Sequence, residues 1–143
     1  MRKGIESAWW MLRIGLGLGP ALAGLDKIFR TNLLADWPAY ISPLATAVLP
    51  VSGEAFMQIV GVIELVVGIA ILTVATRIGA WVAMAWLLLI AVNLVTTGTH
   101  FDVAVRDVEM AIAAYALARI TAERESVLAS PSRSVSITAR AVA

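Results

Sequence analysis

The chain of 143 residues contains no cysteine, one histidine and few charges, and each scarcity closes off some chemistry. Without cysteine there is no disulfide, thiolate metal site, iron–sulfur ligation or dithiol relay. One imidazole, His100, and scattered acids do not supply a fixed first shell for a metal, and a single candidate axial ligand argues against haem. Lys and Arg number 11 against 10 Asp and Glu, for a net charge of +1. The basic residues form no stripe that could follow a phosphate backbone, so a nucleic-acid partner is not expected. No phosphate loop or Gly-x-Gly-x-x-Gly sequence is present, and nothing suggests a Ser-His-Asp arrangement.

What remains is apolar. Hydrophobic residues make up 60% of the chain and charged residues 15%, and the mean hydropathy is +0.87. These values lie far from those of a typical soluble domain and predict an integral membrane protein. The expected fold class is all-α, a four-helix transmembrane bundle in one domain over residues 1–122, followed by a polar cytoplasmic tail over 123–143. The expected spans are residues 8–29, 55–76, 78–99 and 103–120. The basic start and apolar run at the N-terminus resemble a signal peptide, but no small-residue cleavage site leads into a soluble chain, so a retained first helix is expected.

Each segment has its own character. In the first, Trp9 and Trp10 suit an interface, Pro20 is expected to bend the helix, and Gly15 and Gly19 form a small-xxx-small pair for helix packing. Residues 31–53 are apolar but broken by Pro38, Pro43 and Pro50. They predict a long outer loop with one or two short helices, in which Trp37 and Tyr40 lie at headgroup level or as a lid over the bundle mouth. The third expected span carries no charge, and its Asn93 can hydrogen-bond across helices. The fourth holds Asp102, Arg106, Asp107 and Glu109 within an apolar pattern. Asp102 and Glu109 can pair with Arg106 along the helix, leaving Asp107 to point elsewhere. Arg2, Lys3, Arg77, Arg119, Arg124, Arg133 and Arg140 fall on one side of four spans, against Lys27 and Arg30 on the other. The positive-inside rule therefore places both termini in the cytoplasm, with the chain multi-pass in the inner membrane.

Glu64 is the residue around which these segments must be arranged. It is the only charged residue between Ala55 and Thr76, flanked one turn away on each side by Gly61 and Gly68, which make a second packing face. A charge at the midplane costs at least about 3 kcal/mol unless it is paired, hydrated or protonated. At ~1.5 Å per residue, Glu64 lies ~15 Å into its helix, Arg106 ~6 Å and Arg13 ~7 Å into theirs. No basic Cα shares its level on this count. Either Arg13 or Arg106 reaches toward the midplane, or Glu64 sits protonated in a small cleft. Lys27, His100, Asp102, Asp107 and Glu109 form a candidate polar cluster at the outer mouth.

The stretches LRIGLGLGPALAGLDKIF, GVIELVVGIAIL, TRIGAW and RDVEMAIAAYAL, in that order around a proline-broken loop, resemble the DoxX family. The matching positions are Arg13, Gly15, Gly24, Lys27, Glu64, Leu65, Gly68 and Arg77, and the resemblance runs roughly from Leu12 to Ile120. It implies a four-helix membrane bundle associated with respiratory or redox assemblies, the family being named for the small subunit of a thiosulfate:quinone oxidoreductase. A more distant likeness to vitamin K epoxide reductase-type bundles fails at the chemistry, because that relay needs thiols. The leading expectation is an accessory subunit that binds quinone or another apolar ligand near Glu64, beside an oxidoreductase partner or as a homo-oligomer. A non-catalytic scaffold or assembly protein is the second reading, and a small transporter or pore the third.

Overall fold

A computed structural model describes residues 3–48 and 50–129 of the protein. Those residues are helical, with no strand among them. Four long helices, α1 (Lys3–Phe29), α3 (Gly53–Leu72), α4 (Thr76–Thr96) and α5 (Phe101–Ala129), are joined by short turns except between α1 and α3. There the connection contains a 3-10 turn (Trp37–Tyr40) and the short helix α2 (Pro43–Val48), as the proline spacing predicts. α1 packs chiefly on α3 and α4 on α5, while contacts of α3 with α4 and of α1 with α5 close the ring.

Several boundaries differ from expectation. α1 starts at Lys3 and continues through Pro20. α3 ends at Leu72 and α4 begins at Thr76, so Arg77, which falls between the expected spans, stands in the first turn of α4. α5 runs on beyond the expected span end at 120 to Ala129, and holds Glu125 beside Arg77 at 3.2 Å. Arg2, Arg133, Arg140 and the tail from residue 130 lie outside the described residues.

The α1–α3 seam is set by glycine, though not by the expected pair on α1. A Cβ on Gly15 or Gly19 would meet nothing within 4 Å. Gly17 and Gly24 face α3 instead, and their seven-residue spacing matches that of Gly61 and Gly68 on the antiparallel partner. A Cβ on Gly24 would fall 2.4 Å from the Gly61 carbonyl oxygen, and one on Gly68 would fall 2.6 Å from the Gly17 carbonyl oxygen. Two turns separate each pair, so both glycines of a helix return to the same face and let the backbones touch twice. Gly79 does the same for α4, where a Cβ would fall 2.9 Å from the Ile71 nitrogen.

Arg13 closes the end of α3. The last turn of α3 contains no basic residue, and the final carbonyls of a helix lack internal partners. The Arg13 guanidinium donates to the carbonyl oxygens of Ile71 at 3.0 Å, Leu72 at 2.8 Å and Thr73 at 2.5 Å. It also lies over the rings of Trp9 and Trp10. At the opposite end, Ser52 caps α3 by accepting from the Ala55 N–H, and Glu54 stands in the first turn, where the helix dipole favours an acid.

Polarity departs from that of a water-soluble bundle at particular positions on both the inside and the outside. Asp26, Lys27, Glu64 and Asp107 are buried. Ile59, Val62, Val66 and Ile69 on α3, and Val82, Leu88, Leu89 and Val92 on α4, are exposed. α3 and α4 are each long and apolar enough to cross a membrane, and only 39% and 33% of their most apolar stretches are buried.

Candidate functional site

Lys27, not an arginine, meets Glu64. Its ammonium donates to Glu64 Oε2 at 2.5 Å, with the two side chains 5% and 9% exposed. The direction in which helical side chains lean explains the pairing. Each Cα–Cβ bond tilts toward its own helix N-terminus, and α1 and α3 are antiparallel, so a lysine near the end of α1 leans deeper while Glu64 leans back to meet it. Gly61 makes room, because a Cβ there would lie 2.8 Å from Lys27 Cβ.

The two arginines expected near Glu64 are elsewhere. Arg13 is committed to the end of α3. The Arg106 side chain is 64% exposed, and its ion contact is with Asp107 at 3.8 Å. The expected alternative, Glu64 unpaired in a cleft, is not the observed state either. Of the outer-mouth cluster, Lys27 and Asp107 turn inward, and Asp107 lies within electrostatic range of both Lys27 and Glu64. Asp102 and Glu109 are exposed, since helical geometry puts them on the face of α5 opposite Asp107. The centre therefore holds the Lys27–Glu64 pair and, beside it, Asp107, whose own ion contact is the exposed Arg106.

Trp37 lies over Lys27, and Tyr40 ends the same 3-10 turn against α4. The Trp37 ring centroid lies 3.7 Å from the Lys27 ammonium, at cation–π distance. Asp26 fixes that position. Its Oδ1 accepts from the Thr31 hydroxyl and from the Leu33 N–H at 3.0 Å. Its Oδ2 accepts from the Leu34 N–H at 3.1 Å and from Trp37 Nε1 at 2.7 Å. On the other side, Asn93 donates to the Tyr40 carbonyl at 2.9 Å, and the Tyr40 and His100 ring centroids are 4.7 Å apart. The His100 Nδ1 is 2.7 Å from the Thr99 hydroxyl, so the imidazole belongs to the helix junction and the cover.

Sequence reasoning missed Asp26 as the anchor of the loop and Lys27 as the partner of Glu64. Aligning Gly17 and Gly24 antiparallel to Gly68 and Gly61 is the signal that would have brought Lys27 to Glu64. It also missed Trp86, whose buried indole N–H has no hydrogen-bond partner among the described residues. Moving two turns along each antiparallel helix from the Gly79–Ile71 contact places Trp86 at the level of Glu64. Two grooves lie on the outside of the bundle. One, of about 260 Å³, is bounded by α1 and residues 31–34, and the other, of about 210 Å³, lies between α4 and α5. Neither includes Lys27, Glu64 or Asp107. No group of three or more His, Cys, Asp or Glu among the described residues is arranged to hold a metal ion.

Fold and centre together define an all-helical protein with two helices able to cross a membrane and a covered, buried ion pair. Comparison with known proteins finds no matching family model, no matching curated sequence and no matching solved structure.

Proposed function

We propose that the chain is a four-span inner-membrane protein of the DoxX type, with both termini cytoplasmic. In this reading it is an accessory subunit of a respiratory or redox assembly. Its Lys27–Glu64–Asp107 centre receives the polar head of a quinone or similar apolar ligand. The membrane assignment is supported by the exposed aliphatic faces of α3 and α4 and by the burial of Asp26, Lys27, Glu64 and Asp107. The observation that carries the ligand reading is a second buried acid in the centre. A lysine and a glutamate would suffice to lock two helices, yet Asp107, whose own ion contact is the exposed Arg106, stands within range of both. The unpartnered Trp86 N–H at the same level adds an orphan donor, a costly feature in a purely structural core.

In this reading Lys27 and Trp86 offer donors to a carbonyl or hydroxyl head, and the two carboxyl groups exchange a proton with it. The quinone itself supplies the redox chemistry, and the partner oxidoreductase supplies or takes the electrons. The scaffold reading is favoured by a different observation, that Lys27 and Glu64 already satisfy each other at 2.5 Å with neither groove reaching them.

A double substitution separates the two readings. Removing one member of a buried pair strands the other charge and costs about 3–5 kcal/mol, whereas removing both is often neutral. Lys27→Met and Glu64→Met singly are expected to lower the melting temperature, and the double variant to recover most of it. Under the ligand reading, the recovered double variant no longer co-purifies with quinone detected by mass spectrometry of lipid extracts, and no longer supports electron flux through its partner. A double variant that keeps both would leave the scaffold reading standing.

A further inference from the structure

We propose that residues 31–40 are a lid latched by Asp26, and that release of this latch uncovers the Lys27 amine to the exterior. The lid is held by polar contacts more than by burial. Leu33 and Leu34 are 83% and 60% exposed, so their side chains add little apolar anchorage. Asp26 instead gathers four donors from Thr31, Leu33, Leu34 and Trp37 onto one carboxylate. The last of these places the indole directly on Lys27. Latch and covered amine are thus consecutive residues of α1, one carrying the lid and the other lying under it.

The segment has a place to hinge. Arg30 and Asn32 have φ of 57° and 51°, left-handed values that non-glycine residues rarely adopt, and they flank the exit from α1. The far end of the lid rests on α4 through one Asn93 hydrogen bond and on the His100 ring through Tyr40. Loss of the Asp26 contacts leaves the Trp37 ring held by its cation–π contact, with Tyr40 packed against Ala91, Leu94 and Ala104 as the far anchor, and the stretch between swings about residues 30–32. As the entrance to the ligand centre this rests on the proposed function; as a cover over Lys27 it stands on geometry alone.

The sequence provides a clean assay, since Lys27 and the exposed Lys3 are the only lysines in the chain. The full-length protein in nanodiscs would be treated with a water-soluble acylating ester, and modification of each lysine followed by peptide mass spectrometry. In the wild type Lys27 is expected to react at least tenfold more slowly than Lys3. Asp26→Asn and Trp37→Ala are each expected to raise the Lys27 rate at least fivefold relative to Lys3, with unchanged helical circular dichroism. The Glu64 pairing is common to all three proteins and cancels from the comparison. Wild-type Lys27 as reactive as Lys3, or protection unchanged in both variants, would overturn the proposal. No ligand enters the assay, so the lid can fail while the quinone reading stands, and the converse.

Discussion

Arg13 shows how a charge that looks like a candidate ligand group can be consumed by backbone chemistry. Its planar fork reaches three successive carbonyls at the end of α3 while its face lies against Trp9 and Trp10. A hydrogen bond to a charged group is worth about 1.5–3 kcal/mol. Arg13→Gln is therefore expected to destabilise the bundle by at least about that amount in thermal or denaturant unfolding. Arg13→Lys is expected to recover little, because a single ammonium cannot match the fork or stack on the rings. Full recovery by lysine would show that charge alone suffices. Lys27 presents the opposite case. Its position near the end of α1 suggests a snorkelling surface cation, yet it is buried beneath Trp37 and joined to Glu64.

Among the elements, the α1–α3 pair is the most constrained. Four glycines place two backbones in contact at two levels, and each contact leaves no room for a methyl group. Overpacking a close contact costs about 1–3 kcal/mol, and the backbone cannot move aside as a flexible side chain can. Gly24→Ala and Gly61→Ala are expected to lower the melting temperature clearly. Gly15→Ala and Gly19→Ala meet open space and gain up to about 1 kcal/mol of helix propensity. Equal effects from both sets would refute the register described above. The DoxX-like positions include Gly15, Gly24 and Gly68, and among these Gly24 and Gly68 form the seam. Arg77 is likewise explained by its element, since it pairs with Glu125 across exposed surface; such a pair contributes about 0–1 kcal/mol.

For the whole molecule, the decisive property is the exposed aliphatic surface of α3 and α4 on a bundle that buries Asp26, Lys27, Glu64 and Asp107. Two helices meet the length and hydropathy needed to cross a bilayer. α1 and α5 carry more polar residues, but Asp26, Lys27 and Asp107 turn inward and Arg13 covers the end of α3. The proposed four spans then require both ends of the chain on one side. Reporter fusions to the N- and C-termini are expected to read cytoplasmic, and the protein to remain in the membrane pellet after carbonate extraction. Opposite readings at the two ends, or release into the carbonate supernatant, would exclude the four-span arrangement.

Helical class, the number of long helices and the proline-broken connection between the first two could be read from the sequence. Each depends on local quantities, apolar run length and proline position. The identity of Glu64's partner could not be read from depth counted along single helices. It depended on the relative axial shift of α1 and α3 and on the opposed lean of their side chains. The same shift exchanged Gly15 and Gly19 for Gly17 and Gly24, and gathered Asp26's four donors from a loop whose course residue spacing leaves open. Sequence determined that an isolated acid, Glu64, stands in an apolar helix and must be paired, hydrated or protonated; tertiary structure decided which group meets it and which other charges turn inward, because that choice lies in the packing of one backbone against another.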